Sequence, residues 1–276
     1  MKKYIFLLSV VFFLLGCSEE AVVKQPNIII FLVDDMGLMD TSVPMLVDKN
    51  GNPKRYPLND WYQTPNMERL VAQGIRFSDF YSHNVCSPTR ISIMTGQNAA
   101  RHLTTDYINP WQNNREINNK RFPLEICQRV PPEWNWQGLK KNTFTLPKLL
   151  KQEGYSTIHI GKAHFAPFHH EGENPQNLGF DVNVAGSAIG APGSYYGEAD
   201  YGRQSKNPLA RPVQGLDKYH GTETYLTEAL TLEAKAELGK ALVADKPFFL
   251  NMCHYAVHSP FHSDPRFADN YNNSSV

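Results

Sequence analysis

Net charge is the first thing this 276-residue chain lacks: 27 Lys and Arg balance 27 Asp and Glu, for a formal charge of zero. That removes any general electrostatic reason to expect a nucleic-acid partner. Cysteine is scarce, with 4 in the chain. No Cys/His spacing of the zinc type occurs among them. Setting Cys17 aside leaves Cys86, Cys127 and Cys253. That is an odd number, so at least one thiol stays outside any internal disulfide; Cys127–Cys253 is the pairing available to the others. A long apolar run is also missing. The stretch from Tyr4 to Leu15 falls well short of the roughly 20 residues a membrane-spanning helix needs. There is no internal repeat. What is present is 41% hydrophobic and 12% aromatic residues, enough for one sizeable domain with a real core.

The N-terminus, MKKYIFLLSVVFFLLGC, has two lysines, the short apolar run, then Gly16-Cys17. It reads as an export signal. LLGC resembles the bacterial lipobox, which makes Cys17 the lipidated first residue of the mature protein; a single-span anchor is the alternative. Residues 1–17 are then a lipoprotein signal and residues 18–26 a tether. The expected location is the bacterial cell envelope, lipid-anchored or periplasmic, where disulfides are possible.

Strand and helix alternate along the rest. NIIIFLV, 27–33, is a continuous β-branched run, expected to be a strand buried on both faces of a parallel sheet. It stops at Asp34-Asp35. TPNMERLVAQG predicts a helix with Thr64 as N-cap, Pro65 as first residue and Gly74 as stop. IRFSDFY is expected to follow as a strand. TLPKLLKQEG repeats the cap pattern between Thr145 and Gly154, then leads into the strand YSTIHI and into GKAHF. A long helix is expected over Thr222–Ala244, and a strand over PFFLNMC, followed by HYAVHSPFH. The class is α/β with a mostly parallel central sheet flanked by helices. Two stretches break this rhythm, 101–142 and the Gly-, Pro- and Tyr-rich 185–215. Long irregular loops in a compact domain are usually functional or disordered.

SHNVCSPTRISIMTG, 82–96, holds the most unusual cysteine. Pro88 suits the first turn of a helix, and Gly96 a stop. Cys86 is expected just ahead of that helix, where free N–H groups favour negative charge. Arg90 returns to the same side one turn later. The competing reading is a small buried cysteine beside a surface arginine.

Ligands of open α/β sheets bind outside the carboxyl ends of the strands. Asp34-Asp35, Cys86 with Arg90, Lys162 with His164, and His254 with His258 all follow strands expected to end at one edge. Each alone has a plainer reading: a turn for the aspartates, a solvated lysine, satisfied structural histidines. His169, His170 and His262 are expected at the surface. Paired carboxylates are hard ligands, suited to Ca²⁺ or Mg²⁺ before zinc.

Taken in order, VDDMG, CSPTR with IMTG, GKAHF and HYAVHSPF resemble the motifs of type I sulfatases in the alkaline phosphatase superfamily. The resemblance spans 27 to about 262 and makes 27–276 a sulfatase catalytic domain of alkaline phosphatase-like fold. It implies that a formylglycine-generating or other sulfatase-maturing enzyme oxidises Cys86 to formylglycine. The hydrated aldehyde then attacks sulfur with one hydroxyl, and the other expels sulfate from the adduct. It casts Arg90 as the partner that positions residue 86. It casts Asp34, Asp35 and the modified Cys86 as ligands of Ca²⁺, with Mg²⁺ second, and Lys162, His164 and His258 as sulfate-binding groups. The implied substrate is a sulfated sugar or polysaccharide, which the Tyr- and Trp-rich loops suit. The alternatives are a phosphodiesterase or phosphatase of the same superfamily, which usually carries Thr or Ser where Cys86 stands, and a dead sulfatase-like chain. Family members complete the metal site from residues beyond the second histidine segment, and this sequence stops before them. The resemblance therefore implies a catalytic domain lacking its C-terminal part. Ala163 stands where relatives often have a bulky aromatic, so an altered pocket wall is expected.

Overall fold

The computed structural model describes residues 24–111, 134–206 and 211–271. The expectations placed on Cys17, the tether up to residue 23 and Cys127 lie outside the described residues.

Four parallel strands form the sheet: β1 (Ile28–Leu32), β2 (Ser156–Gly161), β3 (Val182–Val184) and β4 (Phe248–Cys253), in the order β1-β4-β2-β3. β4 is buried at every position, as an apolar run in a central parallel strand should be. Phe248, Leu250 and Met252 face a core shared with α4 (Leu226–Val243) through Leu226, Ala229 and Leu230. Phe249 faces the other way, onto a core with Ile91 and Met94 of α2 (Cys86–Thr95). Leu146 and Leu150 of α3 (Leu146–Gln152) pack at the edge of that second core. Helices thus cover both faces of the sheet.

The registers decide where the site forms. Leu32 pairs with Cys253, and Gly161 pairs with Cys253 from the other side. Three strands end level, so Asp34, Lys162 and the loop after Cys253 leave the sheet together. Gly161 has φ +93°, and a Cβ there would lie 1.9 Å from the Cys253 carbonyl oxygen. Only glycine admits that approach.

Several expectations are corrected. β1 is not buried on both faces: it alternates, with Ile29 52% and Phe31 62% exposed. Among the described residues it sits at the end of the strand order and is hydrogen-bonded to β4 alone. Residues 75–81 form no strand; Ile75, Phe77, Phe80 and Tyr81 are exposed, and no described strand pairs with them. Their apolar alternation is not met by burial. β3 was not foreseen, because Val182–Val184 is too short to show a period. The long helix starts at Leu226, not Thr222. Residues 222–225 are engaged elsewhere, with the Thr222 hydroxyl donating to the Tyr219 carbonyl and Tyr225 bridging to Tyr196. The helix expected at Pro65 is α1 (Pro65–Gln73), with Thr64 and Gly74 at its caps. Cys253 is a buried free thiol.

Candidate active site

Cys86 is the first residue of α2, not a residue ahead of it; Val85 is the N-cap. Its thiol still stands at the helix N-terminus, where unpaired N–H groups favour negative charge. Arg90, one turn on, is 2% exposed, so it is no surface arginine. One guanidinium N–H donates to the Lys162 carbonyl at 2.7 Å and another to Asp34 Oδ1 at 2.8 Å. The Lys162 ammonium donates to Asp34 Oδ2. One carboxylate is thus shared by two buried cations. Burial alone would raise the Asp34 carboxyl, but Arg90 and Lys162 outweigh it and hold the carboxyl below its ordinary range. Burial, and after it the Arg90 charge, pushes the Lys162 ammonium down.

His164 also meets Cys86. Its Nδ1 is 3.3 Å from Cys86 Sγ and 3.4 Å from Ser87 Oγ. Its Nε2 is 2.6 Å from the Ile108 carbonyl oxygen, so Nε2 carries the hydrogen and donates. Nδ1 is therefore the acceptor, turned to residue 86. Burial, then the Lys162 charge, pushes this imidazole down to about 3, which keeps it neutral near pH 7. Ser87 accepts from the Ile108 N–H at 2.9 Å and so ties the same loop to α2. The backbone at His164 is left-handed, φ 54°. A Cβ on Gly190 would lie 2.5 Å from His164 Cε1, so that glycine lets the loop close over the ring.

Asp35 also has positive φ, 57°. Strained non-glycine backbone of this kind concentrates at functional sites. The Asp34 N–H donates to the Ala256 carbonyl, and the Val257 N–H donates to the Asp34 carbonyl. This clamp sets His258 beside Asp35, with Nε2 3.6 Å from Asp35 Oδ2. His258 Nδ1 is 2.9 Å from the Ser259 carbonyl oxygen and must donate to it. Nε2 is then the ring nitrogen that faces Asp35. Ligand atoms of Asp34, Asp35 and His258 lie within 4.8 Å of one another. Two carboxylates in such a set suit a hard cation.

A cleft of about 560 Å³ opens in front of these groups, lined by Asp35, Cys86, His164 and His258 and, beyond them, by Tyr107, Trp111 and Arg211. The irregular 185–215 stretch supplies one wall through Gly190, Ala191 and Arg211. It is anchored by the Tyr195 hydroxyl, within 2.8 Å of the Tyr255 carbonyl oxygen and 2.7 Å of that of His258. The sequence reading missed Ser87, the Ile108 carbonyl and Arg211. Ser87 sits inside CSPTR and was open to notice; the other two are loop residues with no local signal. His254 does not join the site. It packs against Phe31, with ring centroids 5.1 Å apart, and burial pushes it down to about 4. Ala163 is no wall of the cleft either, being buried in the core with Ile91 and Phe165. His169 is exposed and His170 half-buried, while His262 is half-buried and stacked on Tyr196 at 4.7 Å.

The sequence profile of the Sulfatase family matches residues 26–275. N-acetylgalactosamine-6-sulfatase of Canis lupus familiaris is 29% identical over 263 residues, covering 91% of this chain and 43% of that protein. A sulfatase of Formosa agariphila is 26% identical over 264 residues, covering 85% and 45%. The crystal structure of Ps i-CgsB in complex with k-i-k-neocarrahexaose is 24% identical, with a TM-score of 0.62, covering 92% of this chain and 50% of that one. The chain spans about half the length of these relatives. The match takes in the three level strand ends, α2 and the loops that close the cleft, and on that footing this chain belongs to the sulfatase family.

Proposed function

We propose that the cleft hydrolyses sulfate esters of sulfated sugars or polysaccharides, with residue 86 as nucleophile after oxidation to formylglycine and Ca²⁺ as the cation beside it. The supporting observation is the pairing of Cys86 with the acceptor nitrogen of His164 at 3.3 Å, on a helix N-terminus backed by Arg90 and Lys162. Sulfate-ester names among the relatives, N-acetylgalactosamine-6-sulfatase included, favour a sulfated carbohydrate as substrate.

Asp34 and Asp35 would hold the cation with residue 86 facing it, a reading supported by the ligand atoms of Asp34, Asp35 and His258 lying within 4.8 Å of one another. Bound Ca²⁺ supplies charge against the sulfate oxygens. His164 Nδ1, left as the acceptor by the Nε2–H bond to the Ile108 carbonyl and 3.3 Å from Cys86 Sγ, is placed to take a proton from residue 86. His258 binds the sulfate, and the Lys162 ammonium, which donates to Asp34, adds positive charge to the site. Arg90 holds Asp34 and the Lys162 backbone in register and so positions the nucleophile. Oxidation of Cys86 requires a formylglycine-generating or other sulfatase-maturing enzyme as a partner.

Peptide mass spectrometry around residue 86, paired with a sulfate-release assay on an aryl sulfate, tests this in the whole protein co-expressed with a maturing enzyme. The aldehyde should be present together with activity. An unmodified Cys86 in an active enzyme overturns the mechanism; an unmodified Cys86 in an inactive protein points to a non-enzymatic relative.

For location, the lysine–apolar–LLGC start supports export, cleavage before Cys17 and lipid attachment there. Globomycin, which blocks lipoprotein signal cleavage, should make the precursor accumulate. A protein mass unchanged by the drug rules out the lipid anchor.

A further inference from the structure

We infer that Arg211 selects substrates that carry a second anionic group, a carboxylate or another sulfate, beside the sulfate that is cleaved. This rests on the sulfatase reading above and adds the chemistry of the rest of the substrate. The cleft's volume, about 560 Å³, is that of a site for a complete small ligand. A sulfate alone does not fill it. Beyond Cys86 the wall is aromatic. Tyr107 is 45% and Trp111 38% exposed, and the Trp111 ring is held against Phe168 with centroids 5.5 Å apart. Such faces accept the apolar side of a sugar ring.

Arg211 also lines the cleft, half-buried, with its backbone fixed by the Gly193 N–H donating to its carbonyl at 2.7 Å. Among the described residues no hydrogen bond or ion pair engages its guanidinium. The other cations are already committed: Arg90 and Lys162 to Asp34. Asp35, the acid that lines the cleft, faces His258. A fork of N–H donors on a residue that lines a sugar-sized cleft, with no described carboxylate to answer it, fits a planar or tetrahedral oxyanion on the ligand.

Three disaccharide probes separate the possibilities: one with a single sulfate, one with that sulfate and a uronate carboxylate, and one with two sulfates. Steady-state kcat/KM is measured for the matured whole protein and for Arg211→Ala and Arg211→Lys. The parent enzyme should prefer a dianionic probe. Arg211→Ala should lower kcat/KM on that probe about 10–100-fold more than on the monosulfated one, the range of a lost charge-assisted hydrogen bond. Arg211→Lys should recover part of the difference, since lysine restores charge without the fork. Which dianionic probe is preferred identifies the second group. Equal losses on all probes, or a parent enzyme indifferent to the second charge, overturn the inference. If no probe releases sulfate, the sulfatase reading fails, and calorimetric binding of the same probes to the whole protein still decides on Arg211. Tighter binding of a dianionic probe, lost in Arg211→Ala, upholds the selection; equal affinities overturn it.

Discussion

Asp34→Ala is expected to cost about 3–5 kcal/mol of folding stability, because it leaves buried cations without their counter-ion. Arg90 and Lys162 are 2% and 0% exposed, and both meet this one carboxylate. Neither can turn to water once it is gone. The sign of the acid response follows. Asp34 titrates below the unfolded-chain value of 3.8, so its contribution is present above that value and is lost as pH falls through the folded one. The variant should lack that acid-sensitive increment. Asp35→Ala separates this effect from metal binding. Asp35 is 59% exposed at its side chain, and its described ion-pair partner is the half-buried His258. Its loss should change stability by less than about 1 kcal/mol. In the whole protein it should lower Ca²⁺ content and activity together, as Asp34→Ala should. Urea melts of both variants across pH, with metal analysis, make the comparison. Equal stability for Asp34→Ala and its parent would refute the shared-carboxylate account. Full Ca²⁺ occupancy in both variants would remove the aspartates from the metal site.

Cys86→Ser is expected to stop turnover while leaving the fold intact. Serine is close to cysteine in size, and His164 Nδ1 remains across from it as acceptor. A serine hydroxyl can accept sulfate, but it has no second hydroxyl on the same carbon to drive sulfate off. The variant should retain a sulfate ester at position 86, and its kcat should fall by at least about 10²–10⁴, the range for loss of a positioned proton-transfer step. Intact-protein mass spectrometry after substrate is added, with multiple-turnover sulfate release alongside, reads both effects. Parent-like turnover would show that residue 86 is not the nucleophile. Turnover lost without an ester would show that serine at this position is not activated at all.

Much of this was legible in the chain because it rests on local chemistry. Thr64-Pro65 and Gly74, or Pro88 and Gly96, mark helix ends through their own backbone preferences and need no tertiary partner. The run 248–253 announced a strand by its length and composition, as the rule for apolar β-rich runs announced 28–32. The same rule misread β1, whose run is equally apolar, because burial is a property of neighbours. β1 stands at the end of the order β1-β4-β2-β3, and nothing in IIIFL says so.

The candidate residues divide the same way. Asp34, Asp35, Cys86, Arg90, Lys162, His164 and His258 were named from motifs, and parallel-sheet logic placed them at one edge. Their meeting depends on the level ends of β1, β4 and β2, which inter-strand hydrogen bonding sets. His254 follows β4 as directly as Lys162 follows β2, yet it turns to Phe31 and leaves the site. The acceptor nitrogen of His164, the sharing of Asp34 by two cations and the place of Arg211 in the cleft arise from contacts between segments tens of residues apart. Sequence determined which chemical groups this protein owns and which short segments carry them, because propensity and motif spacing act within a few residues. Tertiary structure alone decided which of those groups meet, in what protonation state and facing what space, because distance, burial and charge partners exist only once the sheet has closed.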